Sequence, residues 1–217
     1  MLNIVSIPTG PLAVNTYIIW YGEDHAERHD CVVIDPANSG KVLKKLDELK
    51  LDLSAILLTH GHFDHIMGVA KLQDATGARV YISKYDSPAM RDNGASLASM
   101  IGVRVDPSRV DAFVEEGTDI NEAGITFRVI HTPGHTPGGV CYVVESERVI
   151  FSGDTLFRMS YGRTDLPGGD SSALYDSIIY KLFTLKGDYR VLPGHEGETT
   201  LDYERTHNLC VFSGVCE

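Results

Sequence analysis

56-ILLTHGHFDH-65 decides how this chain is read. An apolar run of strand-forming residues gives way to His60, His62, Asp64 and His65, three histidines and an aspartate within six positions. Such a cluster adds little to packing, and its density within a chain of nine histidines among 217 residues is not that of random placement. It therefore reads as a set of metal ligands. The spacing has a mechanical sense as well. At a strand end residues i and i+2 point the same way, so His60 and His62 can share one ion. Asp64 and His65, one step later where a helix begins, can turn towards a second.

Zinc and iron take imidazole and carboxylate ligands, and a catalytic ion leaves positions open for water. More ligands must come from elsewhere in the chain. Three later segments offer them: 131-HTPGHTPGG-139, 152-SGDTLF-157 and 192-LPGHEG-197. In each, small and turn-forming residues, Gly134, Gly153 and Gly194 among them, flank a His or Asp just after a β-rich run. That arrangement lets side chains from separate strands converge at one sheet edge.

Periodicity around these segments predicts strands over 2–7, 14–21 and 31–36, then a helix over 40–50 with Val42, Leu43, Leu46 and Leu49 on one face. A buried strand over 54–60, a helix over 64–77 stopped by Gly77, and a strand over 79–83 follow. Residues 92–107 keep no firm period and are expected as a loop on the substrate side. Further strands are expected over 111–115, 125–131, 139–145 and 148–153. A helix from Ser172 to Lys186, capped by Asp170, buries Leu174, Ile178, Leu182 and Leu185, and a short helix is expected around 201–209. The pattern is α/β (α+β), two packed sheets covered by helices. With no repeat or linker, the expectation is one domain over 1–217.

Composition excludes several function classes. No apolar run approaches the ~20 residues that span a bilayer, so no membrane partner is expected. A net charge of -11 argues against nucleic acid, whose binders cluster Lys and Arg. The opening MLNIVSIPTG lacks the basic and apolar regions of a signal peptide, and a cytoplasmic location is expected. Cys31, Cys141, Cys210 and Cys216 form no C-x-x-C pair, and Cys31 and Cys141 read as small core residues. His25, His29 and His207 stand in polar contexts and read as solvated surface residues.

From 34-IDP-36 through THGHFDH, HTPGHTPG and GDTLF to LPGH, the chain resembles the metallo-β-lactamase superfamily and, within it, the glyoxalase II-like (hydroxyacylglutathione hydrolase-like) branch. The resemblance implies a four-layer αββα sandwich with its site at the sheet edges. It implies one divalent ion held by His60, His62 and His135, another held by Asp64, His65 and His195, and Asp154 bridging both. Zinc is the first choice, with iron and manganese as alternatives. Asp35 matches the family's early aspartate, expected to orient a ligand histidine, with a plain turn aspartate before Pro36 as the alternative. His131 is expected to be structural or to stand behind a ligand.

Two divalent ions ~3.5–4 Å apart lower the pKa of a shared water to roughly 7. The expected reaction is therefore attack of a metal-bridging hydroxide on a small thioester of the S-lactoylglutathione type, one ion carrying the charge that develops on the carbonyl oxygen. Asp154 joins the ions, and Asp64 orients the water or accepts its proton. Full-length glyoxalase II enzymes add a carboxy-terminal helical domain that helps hold glutathione, which this chain is expected to lack. Where those enzymes have a lysine and an aromatic pair, this chain reads 160-SYGRTDLPGGD-170, similar to short bacterial glyoxalase II-like proteins, with Arg163 as the candidate substrate contact. Two rivals remain. One is a persulfide dioxygenase of the same superfamily, with one iron on His60, His135 and Asp154. The other is a non-enzymatic diiron module sensing oxygen or redox state. The oligomeric state is not legible.

Overall fold

Successive side chains of the strand Val14–Tyr21 face opposite ways, and both faces are buried: Tyr17 and Ile19 enter one apolar core, Ile18 and Trp20 another. A strand apolar on both sides must be covered on both sides, which dictates layers. The computed structural model describes residues 1–22 and 29–213, without the side chains of 212 and 213. His25 and Cys216 lie outside the described residues.

The first sheet has the spatial order β1 (Leu2–Thr9), β2 (Val14–Tyr21), β3 (His29–Ile34), β4 (Leu51–Leu57), β5 (Arg79–Ser83) and β6 (Ala112–Val114). Its first two pairings are antiparallel and the rest parallel. The second sheet comprises β7 (Asp119–Glu122), β8 (Ile125–His131), β9 (Val140–Val144) and β10 (Val149–Gly153). A small hairpin of β11 (Leu156–Phe157) and β12 (Ser160–Tyr161) follows, and then β13 (Arg190–Pro193) and β14 (Thr199–Thr200) extend the second sheet beside β10. Pairing there is antiparallel except between β10 and β13.

Three apolar cores separate four layers. Between the sheets, Tyr17, Ile19, Val32 and Leu57 meet Phe127, Tyr142 and Phe151. Outside the first sheet lie α1 (Ser39–Leu49), α2 (Phe63–Ile66) and α3 (Val69–Thr76), which bury Val42, Leu46, Val69 and Leu72 against Val33 and Ile56. Outside the second lie α4 (Ser171–Asp176), α5 (Leu201–His207) and α6 (Leu209–Ser213), with Leu174 and Leu201 against Cys141 and Ile150. The molecule is thus the αββα sandwich. Cys31, Cys141 and Cys210 are buried in it. His29 is half-buried, and the exposed His207 stacks on Tyr203. Among the described residues no helix is long and apolar enough to cross a membrane.

The helix expected over 64–77 is two helices. The amide of Gly68 donates to Pro36 O at 2.7 Å, and a Cβ at residue 68 would stand 2.3 Å from the same oxygen, so the chain breaks step where it meets the loop after β3. The helix expected from Ser172 starts on schedule, with the Asp170 carboxylate accepting from Ala173 N at 3.0 Å. After Asp176 it widens into a π-helical stretch, Ser177–Leu182. That stretch presents Ser177 Oγ to Pro133 O at 2.8 Å and Lys181 Nζ to His131 O at 2.6 Å, bracing the loop that holds His135.

Candidate metal centre

Five loops leave the C-terminal ends of strands and meet at one edge of the sandwich. Asp35 follows β3; His60 and His62 follow β4, with Asp64 and His65 on α2; His135 follows β8, Asp154 follows β10 and His195 follows β13. Bonds between the sheets fix this meeting. Tyr142 Oη donates to Leu58 O at 2.8 Å and Tyr17 Oη donates to Pro193 O at 2.7 Å, each next to a ligand loop. The Val140 amide donates to Thr59 O at 2.8 Å, and the Asn15 amide donates to Gly194 O at 2.7 Å.

Two three-donor groups result. Single donor atoms of His60, His62 and His135 lie within 4.8 Å of one another, as do those of Asp64, His65 and His195. Asp154 stands between: its Oδ2 is 3.6 Å from His135 Nε2 and 3.5 Å from His195 Nε2, and its Oδ1 is 3.4 Å from His65 Nε2. His60 Nε2, His65 Nε2 and Asp154 Oδ1 are buried with no hydrogen-bond partner. Buried polar atoms without a partner are costly, and three of them aimed into one space fit a cation. Gly194 keeps that space open, because a Cβ there would stand 2.3 Å from Asp154 Oδ1 and 2.7 Å from His65 Cε1. The donor set, imidazole with carboxylate, suits divalent zinc, iron or manganese.

A third group within the same span joins Asp35 to His60 and His65. Its carboxylate is already engaged: Oδ1 accepts from Thr59 N at 2.8 Å, and Oδ2 from Thr59 Oγ1 at 2.6 Å and His65 Nδ1 at 2.9 Å. Asp35 thus fixes the His65 ring with Nε2 pointing inward, the usual duty of a carboxylate behind a ligand histidine. His135 is oriented by main chain, its Nδ1 donating to Arg163 O at 2.7 Å.

Asp86 carries a function that sequence reasoning missed. Buried after β5, it accepts from Gly61 N at 2.9 Å, Thr136 Oγ1 at 2.7 Å and Gly138 N at 2.7 Å. One carboxylate thereby clasps the loop of His60 and His62 to the loop of His135. Locally, 84-KYDSPAM-90 reads as an ordinary turn. Only the tertiary approach of residues 61, 136 and 138 exposes its role.

The electrostatics divide the histidines. Burial, followed by the neighbouring imidazoles, pushes His60 well below the usual histidine range and His62 down to about 3, the neutral form a metal needs. Burial acts the same way on His65, but Asp154, Asp35 and Asp64 outweigh it and raise that imidazole to about 10. Burial would raise the Asp64 carboxyl; the charge of His65 and the hydrogen bond to His195 reverse this and bring it to about 2.

The centre forms the wall of a cavity of about 640 Å³. Residues 92–107, expected on the substrate side, contribute Leu97, Met100 and Ile101 to it. Arg163 lines it too, its guanidinium paired with Asp165 through two 2.7 Å bonds. His131 reaches no ligand side chain; its Nε2 pairs with Pro137 O at 3.0 Å and its ring stacks on Tyr85, so it shapes the His135 loop from outside.

Residues 9–195 match the family model of the metallo-beta-lactamase superfamily. The chain is 38% identical over 214 residues to an uncharacterized protein of Mycobacterium leprae, covering 94% of this chain and 96% of that protein. It is 32% identical over 214 residues to the hydroxyacylglutathione hydrolase GloC of Haemophilus influenzae, covering 95% and 97%. Among solved structures it is similar to the BLEG-1 B3 metallo-beta-lactamase, with a TM-score of 0.88 and 34% identity over 96% of this chain and 98% of that one. TTHA1623 in a di-iron-bound form gives 0.82 and 39%, covering 94% and 98%. ETHE1 from Myxococcus xanthus gives 0.78 and 28%, covering 97% and 85%.

Proposed function

Because the chain belongs to the metallo-beta-lactamase superfamily, we propose that it is a dinuclear metal-dependent hydrolase that cleaves small thioesters in the manner of a hydroxyacylglutathione hydrolase. One observation carries this reading: two complete three-donor groups lie side by side with Asp154 reaching both. His60, His62 and His135 would hold one ion, Asp64, His65 and His195 the other. The likeness to GloC supports a thioester as substrate. Zinc suits the donor set, and the di-iron-bound form of TTHA1623 keeps iron as the alternative.

Divalent ions bound there would supply a Lewis acid for the thioester carbonyl and acidify water towards neutral pH. The chain's own groups do the rest. Asp64, held ionised by His65 and His195, is the carboxylate placed to orient a water molecule and take its proton. Asp35 and the Arg163 carbonyl lock the rings of His65 and His135, so that the donors are set before substrate arrives. A thiolate leaves without strong acid assistance, which spares the site a dedicated proton donor.

A second reading has specific support: the likeness to ETHE1 and the G-R-T-D run over residues 162–165 fit a dioxygenase with one iron on His60, His135 and Asp154. It leaves the Asp64, His65 and His195 group without work. The test is to load the protein with metal, count ions per chain, and follow thioester absorbance beside oxygen uptake with a persulfide. Two ions and thioester loss are expected; one iron with oxygen uptake would overturn the proposal.

A further inference from the structure

The cavity over the centre speaks to the kind of thioester it takes, a question that rests on the hydrolase reading for its chemistry and on the cavity wall for its binding. Leu12, Met100 and Ile101 are 54%, 63% and 54% exposed, and all three line this one cavity from two separate loops. Leu97, Phe157 and Leu166 line the same space. A single exposed apolar side chain is ordinary. Several converging on one concave site beside the reacting groups mark where an apolar ligand lies.

Charge points the same way. Among the described residues that line the cavity, Arg163 is the one cationic side chain other than the histidines, and its Nε and Nη2 already bond Asp165. The lining also adds Glu196, in a chain of net charge -11. A glutathione arm brings two carboxylates, which call for free guanidinium or ammonium groups. We propose that the substrate is a thioester whose arm in this cavity is an uncharged, apolar acyl chain rather than glutathione. In its cleavage the oxygen of water bonds to the carbonyl carbon and the C–S bond breaks with its electron pair on sulfur. The products are a carboxylate, a thiol and one released proton.

Two measurements on the metal-loaded protein test this. In the first, kcat/KM is compared for S-hexanoyl-N-acetylcysteamine, its S-acetyl homologue and S-lactoylglutathione. The hexanoyl compound should exceed its S-acetyl homologue by about tenfold or more, chiefly through KM, because four added methylenes are buried, and it should also exceed S-lactoylglutathione. Ile101→Asp should collapse the hexanoyl-to-acetyl ratio. In the second, calorimetry compares two thioethers that cannot be hydrolysed. S-hexyl-N-acetylcysteamine should bind about tenfold or more tightly than S-methylglutathione, because its longer alkyl chain buries more methylenes. If S-lactoylglutathione is the better substrate, the apolar arm is refuted while thioester hydrolysis stands; if S-methylglutathione is the tighter ligand, the apolar arm is refuted whatever the turnover. If no thioester is cleaved but the hexyl compound keeps its advantage, the hydrolase reading fails and the apolar site stands. Loss of both overturns both.

Discussion

At His65 three carboxylates surround one imidazole: Asp35 at 2.9 Å, Asp154 at 3.4 Å and Asp64 at 3.8 Å. Without metal this arrangement ties folding to pH in a definite way. His65 is raised to about 10, so its contribution is whole below the unfolded value of 6.5 and is lost as pH climbs through about 10. His62 acts in the opposite sense. Its folded value lies near 3, so the unfolded chain binds more protons between 6.5 and 3, and stability drains away as pH falls across that window. The metal-free protein should therefore be most stable near pH 6.5, with Tm declining on both sides; a Tm that rose steadily from pH 5 to pH 10 would refute this balance. His65→Ala removes a donor from one group and leaves the other whole. Metal content should drop from two ions per chain to one, and thioester hydrolysis should fall by on the order of 100-fold or more, since one ion of a pair is lost. Undiminished turnover in that variant would exclude a two-ion mechanism.

At the scale of elements the decisive feature is how loops are tied together. Asp86→Ala would leave Gly61 N, Thr136 Oγ1 and Gly138 N buried and unpaired. At about 1–3 kcal/mol for each group so stranded, several kcal/mol of stability should be lost. The His60, His62 and His135 group should also lose affinity for metal, and a metal titration with thermal melts reads both effects; an unchanged titration would show that the clasp does not position the ligands. Many elements were legible from the chain alone. β1, β2 and β8 keep their apolar spacing, and Asp170 caps α4 where a helix start was expected. β7 was not legible, because one of its two inward residues is Glu122, a buried carboxylate paired with Arg79 and Tyr81 across to the other sheet. A charged residue facing inward hides the period on which strand reading depends. The break at Gly68 was hidden for a similar reason: it comes from a neighbour, Pro36, distant in sequence.

For the whole molecule, local pattern gave the candidate ligands but not their meeting. The cluster at residues 60–65 announced metal by residue type and spacing. The grouping of His135, Asp154 and His195 with it came from the resemblance, since periodicity carries no information on which strand ends share an edge. The sandwich supplies that information, through strands that present their C-terminal ends to one side and tyrosines that tie one sheet to the other. The support behind the ligands was least legible, being built from Asp86 and a main-chain carbonyl. The central claim, that five loops make one two-ion centre, is tested most directly by an anomalous difference map at the zinc edge from crystals grown with excess zinc. It should show two peaks ~3.5–4 Å apart with Asp154 between them, one beside His60, His62 and His135 and the other beside Asp64, His65 and His195. A single peak, or two peaks that do not share Asp154, would contradict it.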